Sequence, residues 1–319
     1  MKLCSAALKT FLEGPDTDRA VTIDLYTIRL VTGEEFRWSA GNASLTVPSA
    51  GFPADSPLNA GAGRTFVLGP GFDRSTVATK VGLEPATLDL AIYAKSTDTV
   101  GTLTLAQAIG KGLFDGAMVE LDRFFAPGPP IGSSAIDTSL GCLVWFYGRV
   151  AEIEVGRSAI RVTVKSLINL LEITQFPRRV FGANCTHVFG APMCGYNRVA
   201  GTNALGAATG WGEQTITATA GSTQSQINSV YVPALSPSPY IEGTIIGATG
   251  ANTGFRRTIS AHASGTAHVK PEFIFPVAVG DTFDILPGCN HTTDMCDGVL
   301  QNIGRYGGYK WIPQPEAAI

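Results

Sequence analysis

Charge is what this sequence has least of. Asp, Glu, Lys and Arg supply 15% of 319 residues, against about 25% in an ordinary soluble domain. The 23 basic and 26 acidic residues leave a net charge of −3. That balance excludes the basic field on which nucleic-acid binding rests. Short clusters such as Arg178-Arg179 and Arg256-Arg257 read as solvated faces. No apolar run reaches the roughly 18 residues of a membrane helix. Histidine is scarce, with four in the chain, and no His-Glu-x-x-His pair is present, which excludes that hydrolytic zinc pattern. No Gly-x-Gly-x-x-Gly opens a helix, so a nucleotide-dependent redox enzyme has no anchor. Only Met1, Lys2 and Leu3 precede Cys4, too few for the apolar region of a lipoprotein leader. The expectation is a chain folded in a reducing cytoplasm, where six cysteines do not make a disulfide scaffold.

What is present is apolar. Hydrophobic residues make up 45% of the chain, spread over short segments. A large core accounts for this, and so does a surface covered by partner subunits, because obligate interfaces resemble a core cut in half. The low charge favours the second.

The patterning is mainly β with short helices. Residues 1–12 place Leu3, Ala7, Leu8, Phe11 and Leu12 on one helical side. Val21–Leu30 alternates, with Val21, Ile23 and Leu25 inward and Thr22, Asp24 and Tyr26 outward. The Thr32-Gly33 turn then joins it to Glu35–Trp38 as a hairpin. Ser39–Gly71 reads as loop with short strands, Thr87–Ala94 as a strand, Thr104–Phe114 as a helix capped by Thr104, and Ala117–Phe125 as a strand. The prolines of Ala126–Ser134 keep it out of a sheet interior. A hairpin over Cys142–Leu167 follows, turning at Gly156-Arg157-Ser158, and Ser166–Phe176 reads as a brief helix before Pro177. These elements predict a β-rich barrel or sandwich domain over 1–177 and a smaller domain over 178–319.

Within the second domain, 202–283 is rich in Gly, Thr, Ser and Ala, with short strands such as "QTITAT", "VYVPAL", "GTIIGAT" and "FRRTISAH". It predicts a small inserted β domain. Its Tyr231, Tyr240, Phe255 and Phe273 read either as sugar-stacking residues or as core.

Two cysteine pairs flank that insertion: Cys185-x8-Cys194 and Cys289-x6-Cys296. Each first cysteine is followed two residues later by a histidine, His187 or His291. Structural zinc favours tighter pairs, whereas an iron–sulfur cubane takes four thiolates from looser loops. Zinc bound by cysteines or a Cys/His mixture and a disulfide pairing stay open at this level. The histidines read first as loop-capping groups that support the sulfurs. Phe181, Phe189, Tyr196, Tyr306, Tyr309 and Trp311 flank the pairs and would restrict solvent there. Cys4 and Cys142 stand alone and read as core.

The stretches "FGANCTHVFGAPMCGYN" and "GDTFDILPGCNHTTDMCDGVLQNIGRYGGYKWIP" resemble the two signatures of tail-tip, or baseplate, hub proteins of siphophages and gene transfer agents, a family related to the minor tail protein L of phage lambda. The resemblance implies a non-enzymatic structural subunit at the virion tail tip, assembled in the host cytoplasm. It implies a homotrimer between the distal tail protein ring and the central tip or fibre protein, near the tape measure protein. It also implies a [4Fe-4S] cluster on Cys185, Cys194, Cys289 and Cys296, with zinc as the alternative. Host-surface or carbohydrate binding through the insertion is a second expectation.

Overall fold

A computed structural model of the chain describes residues 4–77, 86–128, 136–169, 182–229, 239–263 and 265–312. It divides into two compact units, Met1–Ile173 and Thr174–Ile319. The strand expected at "VYVPAL", most of the helix expected over Ser166–Phe176, and Phe181 and Tyr231 lie outside the described residues.

The first unit opens with α1 (Ala6–Leu12), whose first turn is closed by Ser5: its Oγ accepts the Leu8 amide at 3.0 Å. Strands follow as β1 (Val21–Arg29), β2 (Glu35–Ser39), β3 (Leu45–Val47), β4 (Arg64–Leu68), β5 (Gly71–Arg74), β6 (Thr87–Tyr93), β7 (Thr99–Val100) and β8 (Leu103–Thr104). Helix α2 (Leu105–Gly110) starts on a full capping box of Thr104 and Gln107. Strands β9 (Met118–Ala126), β10 (Gly141–Val155) and β11 (Ile160–Lys165) complete the unit.

Nine of these strands form one sheet in the order β3-β4-β2-β1-β9-β10-β11-β6-β5. Two bulges in β10, between Val144 and Phe146 and between Val150 and Glu152, add local twist. The sheet curls until β5 reaches β1, where Phe72 stacks on Tyr26 with ring centroids 4.5 Å apart. Such a pair adds about 0.5–1.5 kcal/mol beyond burial.

That curl corrects one expectation. Tyr26, read as facing solvent, is 1% exposed, and Leu25 through Ile28 are all buried. One face of β1 packs Leu25 with Leu45, Val47, Phe52, Phe66, Phe124 and Cys142. The other carries the aromatic contacts of Tyr26 with Phe72, and beyond them Trp38 and Phe114. Alternation fails where both faces of a strand are covered. Asp24, on β1, accepts from Arg74 at 2.6 Å and Arg123 at 3.0 Å, and Arg123 lies over Trp145.

Two carboxyl groups are fully buried on β9, Glu120 and Asp122, both 0% exposed. Ser56 Oγ and the Leu58 amide donate to Glu120 at 2.5 and 2.6 Å, and Asn59 Nδ2 donates to Asp122 Oδ2 at 2.9 Å. These bonds pin the Ser56–Asn59 turn onto the sheet. Asp122 also lies against Glu120, and a proton between the two carboxyl groups relieves their repulsion. Burial first, then the Glu120 charge, push Asp122 up to about 8, and burial raises Glu120 as well.

The second unit holds β12 (Gln214–Thr217), β13 (Gln226–Asn228), β14 (Thr244–Gly247), β15 (Arg256–Ala263), β16 (Thr266–Lys270) and β17 (Thr282–Leu286). They form one antiparallel sheet in the order β12-β17-β14-β15-β16-β13. Ile216, Ile227, Ile245, Ile259, Val269, Phe283 and Ile285 are buried at alternating positions along these strands, with Phe273 beside Phe283. The chain enters and leaves this sheet side by side, Gln214 pairing opposite Ile285. Glu213 N–H donates to the Val199 carbonyl at 3.0 Å, and Arg198 Nε donates to the Pro287 carbonyl at 3.0 Å. Chain packs against chain at Gly288, where a Cβ would lie 2.3 Å from the Gly243 nitrogen.

Two outcomes test these packing arguments. The folded protein keeps a proton on Asp122 that the unfolded chain releases above its ordinary value of 3.8. Stability from that proton is therefore full below pH 4 or so and is lost as the pH climbs to about 8. Melting curves should show wild type losing stability against Asp122→Asn across that window; parallel pH profiles would refute the assignment. Gly288→Ala should destabilise the second unit by about 2–4 kcal/mol, read as an earlier denaturant midpoint, whereas an unchanged midpoint would show that the backbone yields freely.

Candidate metal centre

The second unit brings both cysteine pairs to one place. Cys185 and Cys194 bound one loop, in which Gly190 takes a φ of 81° to turn the chain at Phe189-Gly190. Cys289 follows β17 after Pro287-Gly288, and Cys296 sits in a π-type turn, Met295–Val299. The wider turn leaves the Cys296 carbonyl to accept the Asn302 amide at 2.7 Å.

Backbone and side-chain bonds close the loops on each other. The Cys185 N–H donates to the His291 carbonyl at 2.9 Å. Three of the four sulfurs accept N–H groups: Cys185 Sγ from Gly307 N at 3.2 Å, Cys289 Sγ from His291 N at 3.4 Å, and Cys194 Sγ from Asn302 Nδ2 at 3.6 Å. Cys194, Tyr196, Met295 and Leu300 form a buried cluster, against which Phe189, Cys289 and Val299 pack. Phe189 stacks on Tyr196 at 5.0 Å. The Tyr306 hydroxyl donates to the Ala183 carbonyl at 2.5 Å.

The electrostatics follow from this gathering. Burial raises Cys289, and Cys194 and Cys185 add to it; the His291 N–H works the other way. Burial, then Cys289, Cys185 and Cys194, push Cys296 up to about 12. Thiols that resist ionising near one another take the thiolate form readily only when a cation receives the charge. All four are free thiols. Among the described residues, no three His, Cys, Asp or Glu side chains are already drawn into the tight group that one ion requires. The donor set, with N–H groups directed at sulfur, has the chemistry of a thiolate site with supporting hydrogen bonds.

The histidines stand beside the sulfurs. His187 Nδ1 pairs with the Arg305 carbonyl at 3.0 Å, and its ring fills the space that a Cβ on Gly307 would need. His291 acts through its backbone, at a φ of 61°. Tyr309 and Trp311 are 52% and 86% exposed and do not cover the site. Cys4 packs by Leu8, Phe125 and Leu140, and Cys142 by Leu25 and Phe124, so both serve the first unit's core. In the inserted sheet, Tyr240, Phe255 and Phe273 are buried, which removes them as exposed platforms for sugar stacking.

Sequence reasoning missed Asn302, Asn203 and Gly307. Asn203 and Asn302 are polar residues 7% and 5% exposed, a burial that no local pattern announces. Gly307-Gly308 carried a signal, since paired glycines admit close backbone approach. A Cβ on Gly308 would lie 2.5 Å from the Ala183 carbonyl oxygen.

Residues 5–197 match the family described as "Baseplate hub protein, N-terminal attachment domain", and residues 239–316 match "Phage conserved hypothetical protein BR0599". The first match contains Cys185 and Cys194, and the second contains Cys289 and Cys296. No curated protein matches the chain. A solved structure titled "Virion of native gene transfer agent (GTA) particle" shares the fold, with a TM-score of 0.69 at 16% identity, over 98% of this chain and 94% of that one. With the hub family covering more than half its length, the chain belongs to the phage baseplate hub proteins, structural components of the virion tail.

Proposed function

We propose that this hub subunit joins the distal tail protein ring to the central tip protein as a homotrimer, and that Cys185, Cys194, Cys289 and Cys296 hold a [4Fe-4S] cluster that staples its second unit. The observation that carries the cluster is the convergence of four free thiols with N–H donors at three of the sulfurs. When bound, a cluster neutralises the thiolates and links the two loops through iron–sulfur bonds. The residues around it are positioned for a structural task. Phe189, Tyr196, Met295 and Leu300 limit solvent, and Arg198 ties the first cysteine loop to the chain before Gly288.

Zinc is the competing occupant. It would draw the same four thiolates to about 2.3 Å from one centre, and the absence or presence of acid-labile sulfide separates it from the cluster. The role is read as non-enzymatic, in keeping with a baseplate hub family, and the joining partners are those that the resemblance of the two cysteine-bearing stretches implies.

Anaerobic purification followed by iron, acid-labile sulfide and zinc analysis tests the reading. Near-stoichiometric iron and sulfide, visible absorbance, and a fall of about 10 °C in melting temperature after all four Cys→Ser changes are expected. Zinc without sulfide would replace the cluster with the alternative. A metal-free protein whose stability ignores the four changes would remove the site altogether.

A further inference from the structure

Asn302 is 5% exposed and uses every polar group it has. Its backbone N–H donates to the Cys296 carbonyl at 2.7 Å. Its Oδ1 accepts the Ala204 amide at 3.0 Å. Its Nδ2 donates to the Cys194 carbonyl at 2.9 Å and faces Cys194 Sγ at 3.6 Å. The partners settle which end of the amide is which: a backbone N–H needs an acceptor and a backbone carbonyl needs a donor.

The preceding residue is built to aim it. Gln301 takes a φ of 47°, a backbone state that costs a non-glycine residue about 1–3 kcal/mol and persists where its surroundings hold it. That conformation presents the Gln301 carbonyl to Asn203 Nδ2 at 2.9 Å. Asn203 Oδ1 in turn accepts the amides of Leu205 and Ala207, both at 3.0 Å. Leu205, in the middle of the turn so fixed, is 93% exposed.

We infer that Asn302 is the positioning residue of the four-cysteine site: it orients the Cys194 sulfur and makes the order of the Asn203–Ala207 turn depend on that site. The inference rests on the cluster reading above for its sulfur half, and on hydrogen bonding alone for its turn half. An N–H directed at a ligating sulfur stabilises the more negative, reduced state of a cluster, so its loss lowers the reduction potential. The turn responds to a different atom of the same side chain. Removing Oδ1 frees the Ala204 amide, whereas a carboxylate in its place keeps an acceptor there.

Asn302→Leu and Asn302→Asp separate the two halves in the full-length chain. In iron-free protein, hydrogen exchange at Ala204 should speed up about tenfold in Asn302→Leu, the loss of one hydrogen bond, and stay within about twofold of wild type in Asn302→Asp. In anaerobically loaded protein of matched iron content, the reduction potential should fall in both variants; the Leu variant does so without adding charge. Unaltered exchange in Asn302→Leu would overturn the link to the turn. An unaltered potential in both variants would overturn the role at sulfur. A wild-type protein that takes up no iron would sink the cluster reading and the sulfur half with it, while the exchange measurement still decides the turn.

Discussion

Four thiols held in one half-buried place cannot all ionise without a positive centre to receive them. Much of the second unit is arranged around that constraint. Two of the three non-glycine residues with positive φ among the described residues, His291 and Gln301, lie within two residues of a cysteine or of its hydrogen-bonding partner. Each turns a backbone group toward the site: the His291 N–H toward Cys289 Sγ, and the Gln301 carbonyl toward the side chain of Asn203. Strain of this kind gathers where function fixes geometry. The π-type turn at Cys296 and the close approach at Gly307-Gly308 serve the same end, bringing backbone against sulfur and ring.

The inserted sheet is accommodated by the same logic. A long insertion is tolerated when its two ends lie together, and here Arg198 and Val199 hold them. Arg198 also donates to Thr244 Oγ1 at 3.1 Å and lies over Phe189, whose ring stacks on Tyr196 in the cysteine cluster. One side chain therefore spans the cysteine loop, the end of the insertion and its sheet. For the structural role proposed above, such cross-ties matter more than a cavity does.

Much of this was legible in the sequence, for identifiable reasons. The β1–β2 and β10–β11 hairpins announce themselves by β-branched runs and short polar turns, and α2 by its Thr104 cap. The four cysteines stood out as two pairs, and the resemblance of the stretches around them singled them out as a set; their convergence in the fold is what the structure adds. What stayed hidden depends on contacts distant in sequence. The parallel pairing of β2 with β4 leaves no local trace. Burial of Tyr26, and of Glu120 and Asp122, reverses the polarity rule because the curled sheet and the Ser56–Asn59 turn cover both faces. Asn302 is invisible for a related reason: its partners, Cys194 and Ala204, lie about a hundred residues away.

The most direct test is electron cryomicroscopy of the assembled tail. The account predicts a compact density peak, stronger than any protein atom, between the Cys185–Cys194 loop and the Cys289–Cys296 loop, with continuous density to all four sulfurs. Disulfide density joining the cysteines, or four sulfurs around empty space, would contradict it.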